Sequence, residues 1–112
     1  MGLKDWKLKL RYGKITTPFK HFTVIGNCEV GVLVNGFSCR PGPAYVAVKT
    51  WAKDDQEAAD IFFSVGKQIG FKPYDKVEIF TTDAVEPPKE EPYGYDINFT
   101  PYDESDQDDS ET

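Results

Sequence analysis

The stretch AYVAVKTWAKDDQEAADIFFSVGKQIGFKPYDKVEIFTT, residues 44–82, decides the fold. It divides into a strand over residues 44–51, an amphipathic helix over 55–69 and a second strand over 76–82. Asp54 sits where an N-cap belongs, and Glu57 three residues on completes the pattern of a capping box. Ala58, Ile61, Phe62, Val65 and Ile69 recur at helical spacing and form one apolar stripe. Gln56, Glu57, Asp60, Ser64, Lys67 and Gln68 fall on the other side, acids early and lysine late, as the helix dipole favours. Gly70 suits the C′ position, and Pro73 prevents an immediate restart.

In the preceding strand, Ala44, Val46, Val48 and Thr50 alternate with Tyr45, Ala47, Lys49 and Trp51. One set meets the helix. The other, with Tyr45 and Trp51 flanking Lys49, is a contact surface if left open and core if a second layer covers it.

Working outward toward the N-terminus, residues 29–40 read as a β-hairpin turning at Asn35-Gly36. That register places Val30, Val32, Val34, Phe37 and Cys39 on one face and sets Cys39 opposite Val32. Cys28 then lies about 13 Å from Cys39 along the strand, so the two cysteines are expected to stay free. Residues 19–25 form another strand, carrying His21, the single histidine. Before it, Trp6, Leu8, Leu10 and Tyr12 alternate with Lys7, Lys9 and Arg11, the period-two pattern of a half-buried strand with one basic face.

Beyond residue 82 the charge changes sign. Residues 83–112 carry eleven acids against Lys89 alone, while residues 1–82 hold 12 basic and 8 acidic side chains. The formal net charge of −6 thus combines a mildly basic body with a strongly acidic C-terminal region. Residues 83–92, rich in Pro and Glu, read as an extended linker. Tyr95, Ile97 and Phe99 alternate with Asp96 and Asn98, which suits a short edge strand over residues 93–102. Residues 103–112 lack any apolar side chain and are expected to form a disordered acidic tail.

Together these elements predict one α+β domain over residues 1–102. Its core is a mainly antiparallel sheet of about five or six strands, with one principal helix in a C-terminal β-α-β unit. No run of about 18 apolar residues is present to span a bilayer, and no apolar leader follows Met1, so a cytoplasmic protein is expected. Neither a metal nor an organic cofactor is expected. Cys28, Cys39 and His21 offer no zinc spacing, and no phosphate-loop or nucleophile-elbow pattern occurs.

The function these features favour is a small protein-interaction module, of inhibitor or immunity type, binding a basic protein partner. Its candidate contact residues are Glu90, Glu91, Tyr93, Tyr95, Asp96 and Tyr102, because tyrosines supply buried area while acids steer a cationic partner. The alternative is a nucleic-acid-binding protein in which Lys7, Lys9, Arg11 and Arg40 bind anions and the acidic tail masks them. The modest excess of 12 basic over 8 acidic side chains in the body disfavours it. Catalysis stands third, with Arg40, Cys39 and His21 as the places to look.

Overall fold

A computed structural model describes residues 5–103. Helix α1 spans Asp5–Arg11, strand β1 Lys20–Val30, strand β2 Gly42–Ala52 and helix α2 Asp55–Ile69. Strands β3, Phe71–Thr81, and β4, Tyr93–Pro101, follow. The four strands form one antiparallel sheet in the order β3-β1-β2-β4. β2 and β3 both run antiparallel to β1, so they are parallel to each other with β1 between them. The expected β-α-β unit is therefore split: α2 carries the chain across β1 instead of into a neighbouring strand.

Four strands replace the five or six expected, and two misread segments account for the difference. Residues 5–11 form a helix, not a strand. Trp6 and Leu10 are half-buried, whereas Leu8 is 50% and Tyr12 71% exposed. Positions i and i+4 share a face in a helix and in a strand alike, so seven residues satisfied both periods.

The second misreading is the hairpin over residues 29–40. Asn35-Gly36 does make a turn, with Phe37 N–H donating to Val34 O at 3.3 Å. Gly36 has φ 99°, but Asn35 is not in the left-handed region, and the two-residue turn that joins paired strands needs positive φ at both centres. The loop instead folds over the end of α2. Gly31 N–H donates to Gly70 O at 2.9 Å and Val34 N–H to Ile69 O at 3.0 Å, supplying donors to carbonyls that a helix terminus leaves unpaired. Leu33, Phe37 and Cys39 pack against the core, while Val32 is 93% exposed. β1 pairs with β2 itself, Cys28 opposite Ala44, and both cysteines are free.

α2 forms as its caps dictate. The Asp54 carboxylate accepts from Glu57 N–H at 2.9 Å, and the Glu57 carboxylate accepts from Lys53 N–H at 2.9 Å. Ala58, Phe62 and Ile69 are buried against the sheet face made by Val24, Cys28, Val46 and Val48. Gly70 ends the helix at φ 127°, and a Cβ there would lie 2.4 Å from Val32 O, so only glycine admits the loop this close.

A β-bulge in β4 decides which side chains go where. Ala47 pairs with Asn98 but Lys49 with Tyr95, so Asp96 and Ile97 both sit opposite Val48. Asp96 takes φ 53° and its carboxylate meets Lys49 Nζ at 2.5 Å. The extra residue sends Tyr95 to the face away from α2, while Ile97 and Phe99 pack with the core under α2. Strict alternation would have kept all three together.

Candidate functional site

The face of the sheet away from α2 is covered at one end and open at the other. At the covered end Trp51 is 4%, His21 6% and Tyr95 7% exposed; Tyr45, further along β2, is 44% exposed. Residues 83–92 run across this end as a strap, and α1 lies beside them over Trp51 and His21.

Side chains of the sheet grip the strap by its backbone. Tyr95 Oη accepts from Val85 N–H at 2.9 Å and from Glu86 N–H at 3.1 Å. Trp51 Nε1 donates to Glu86 O at 2.8 Å, and Tyr93 Oη donates to Pro87 O at 2.6 Å. Each strand residue involved comes from the sheet's second face: Trp51 pairs with Tyr93 across β2 and β4, and His21 pairs with Trp51 across β1 and β2. Lys89 lies 4.3 Å from the Tyr93 ring centroid, a cation over an aromatic face. Burial, and then the nearby Glu86 carboxylate, push the Tyr93 hydroxyl up to about 12.

His21 completes the network. Its Nδ1 lies 3.1 Å from Thr82 O, and a carbonyl only accepts, so Nδ1 carries the hydrogen and Nε2 accepts from Tyr95 Oη at 2.8 Å. Desolvation lowers the His21 pKa, opposed by the bond to Thr82. The imidazole is thus held neutral with both nitrogens engaged, which leaves it no free lone pair for base catalysis or metal ligation. Cys28 is no better placed as a nucleophile: burial raises its thiol to about 12. Among the described residues no group of three His, Cys, Asp or Glu side chains is positioned to hold a metal ion.

The expected contact residues separate into two kinds. Glu90 and Glu91 lie exposed on the strap. Tyr95 is buried and Tyr93 half-buried, both holding the strap down. Asp96 occupies the bulge beside Lys49. Tyr102 stacks on Tyr45 at 5.0 Å and donates to Asn27 Oδ1 at 2.6 Å, at the far end of the face. The acidic segment after Asp103 lies outside the described residues.

The four expected anion-binding residues are also divided. Lys7 and Arg11 line a cavity of about 360 Å³ shared by α1, His21, Trp51 and the start of the strap. Lys9 sits elsewhere on α1, beside Leu8 and Tyr12. Arg40 pairs with Asp103 at 3.1 Å on the surface. Thr82 and the strap backbone were not legible as site components, because their partners are distant in the chain; of the Tyr45/Trp51 face, expected to be a contact surface only if left open, the Trp51 end is covered. The Pro-rich strap running directly into Tyr93-Gly-Tyr95 was the one available signal.

No helix among the described residues is long and apolar enough to cross a membrane. Comparison with protein-family models, with curated proteins and with solved structures finds no match.

Proposed function

We propose that this protein is an interaction module that binds a basic protein partner through the acidic strap, in the manner of an inhibitor or immunity protein. The observation that carries this is the way the strap is held. Trp51, Tyr93 and Tyr95 turn their polar atoms to its backbone, while Asp83, Glu86, Glu90 and Glu91 remain exposed. Four carboxylates against Lys89 alone give the segment a strong negative field. A loop already fixed in one conformation loses little further entropy on binding, so more of its contact energy reaches the affinity. Exposed acids on such a scaffold steer a cationic partner, and association slows as salt screens them.

The test is capture from nuclease-treated lysate by immobilised wild-type protein and by the Glu86→Gln/Glu90→Gln/Glu91→Gln variant, each at low and physiological salt. Proteins retained by the wild type, lost from the variant and weakened by salt are the expected result. Identical retention by the two proteins would remove the strap as the contact surface.

A further inference from the structure

We infer that the cavity beneath α1 binds a nucleotide, with its phosphate on Lys7 and Arg11 and its base against Trp6. Helix α1 places Trp6 and Leu10 four residues apart, and Lys7 and Arg11 four apart on the adjoining column. The apolar pair is half-buried toward the sheet, and the cationic pair is exposed beside it. Both columns line the same cavity, whose opposite wall is Trp51 and His21.

Its volume of about 360 Å³ lies at the small end of ligand sites, suited to one ring system with one charged group. The Lys7 and Arg11 side chains make no ion pair or hydrogen bond with the described side chains, although other cations do: Lys49 pairs with Asp96 and Arg40 with Asp103. Lys7 Nζ lies 5.7 Å from the Trp6 ring centroid, so the charge and the ring can meet one ligand.

The wall chemistry selects further. His21 is neutral and has both nitrogens occupied, so it offers the ligand an uncharged surface and no proton. Trp51 Nε1 is committed to Glu86 O, leaving its ring as an apolar floor. An aromatic ring therefore finds tryptophan, and a dianion finds a lysine and an arginine, whose planar fork matches phosphate oxygens. Among the described residues Asp83 is the one carboxylate lining the cavity, and it opposes an anion there. The proposal concerns a small ligand on the α1 side of the strap's first residues and stands apart from protein binding by Glu86, Glu90 and Glu91.

The chain's two tryptophans both line this cavity, so intrinsic fluorescence reports binding directly. The full chain is titrated with AMP, adenosine, inorganic phosphate and a short 5′-phosphorylated single-stranded oligonucleotide. Saturable quenching by AMP or by the oligonucleotide is expected, tighter than by adenosine or phosphate alone; the tighter of the two identifies a free nucleotide or a strand end as the source. Lys7→Gln and Arg11→Gln should each weaken binding about tenfold, the scale of one charge-assisted contact. Asp83→Asn should tighten it. Lys9→Gln, on the same helix but away from the cavity, should leave it unchanged and controls for helix integrity. Absence of saturation with AMP and the oligonucleotide, adenosine binding as tightly as AMP, or loss with Lys9→Gln equal to that with Lys7→Gln would each overturn the assignment.

Discussion

Tyr95 Oη is bonded to His21 Nε2 at 2.8 Å while it receives two strap amides, so one hydroxyl joins β4, β1 and residues 83–92. With the Val85 and Glu86 N–H groups on its oxygen and its own hydrogen on the imidazole, its hydrogen-bonding capacity is full. That closure makes the strap's position depend on two side chains separated by 74 residues in the chain.

Tyr95→Phe keeps the buried ring and removes the hydroxyl. It leaves the Val85 and Glu86 amides and His21 Nε2 without their partner, at roughly 1–3 kcal/mol for a buried group that stays unpaired. Chemical denaturation should show a loss of about that size, and hydrogen exchange should speed at Val85 and Glu86. Unchanged exchange at both amides would mean that the hydroxyl does not hold the strap.

Acid should weaken the same junction. Desolvation lowers the folded-state pKa of His21 below its ordinary value of 6.5, so the unfolded chain binds the proton more readily. The stabilisation is complete above the unfolded pKa and declines as pH falls from about 6.5 through the folded pKa. Asp83 and Lys49 act on the ring in opposite directions and do not reverse the sign. A protonated Nε2 would also point a donor at a hydroxyl oxygen that already accepts two. Since His21 is the single histidine, its NMR titration is read without ambiguity. A midpoint above 6.5 in the folded protein would contradict this account. His21→Gln should flatten the stability profile as pH falls below about 6.5.

Two glycines separate backbone strain from crowding. Gly36 has φ 99° with open space around its Cα, so Gly36→Ala should cost about 1–2 kcal/mol, the penalty for a left-handed residue. Gly70 adds to a similar φ the Val32 carbonyl, 2.4 Å from where a Cβ would be. Gly70→Ala should therefore cost more, about 3 kcal/mol or above, and should also free the loop that bonds Ile69 O and Gly70 O. Equal losses for the two substitutions would show that the close approach carries no weight.

The two thiols should react at different rates. Cys28 is fully buried with its pKa raised to about 12, whereas Cys39 is only partly buried in the loop over residues 31–41. Ellman titration of the native protein should label Cys39 first and Cys28 only as the chain unfolds; denatured, unreduced protein should show two free thiols. Early labelling of Cys28 would place it outside the core.

α2 was legible because every signal that makes it is local: the Asp54 cap, the stripe from Ala58 to Ile69 and the Gly70 stop lie within one stretch. β2 was legible for a similar reason, its alternation matching the buried set Ala44, Val46, Val48 and Thr50. α1 was not, since residues four apart cannot distinguish a short helix from a short strand. Asn35-Gly36 announced a turn but not its strand partners, and the C-terminal carbonyls of α2 drew the loop over themselves.

Local chemistry along the chain specifies the capped helix, the buried face beneath it and the contrast between basic body and acidic C-terminal region. Tertiary structure alone decided that β1 separates β2 from β3, that the bulge at Asp96 turns Tyr95 away from Ile97 and Phe99, and that residues 83–92 are held as a strap. It also decided that Lys7 and Arg11 share a cavity with Trp51. The physical reason is one of range. Caps and amphipathic periods are interactions between residues a few positions apart, whereas the hydrogen bonds of Tyr95, Trp51 and His21 join residues 9 to 74 positions apart and leave no periodic trace in the chain.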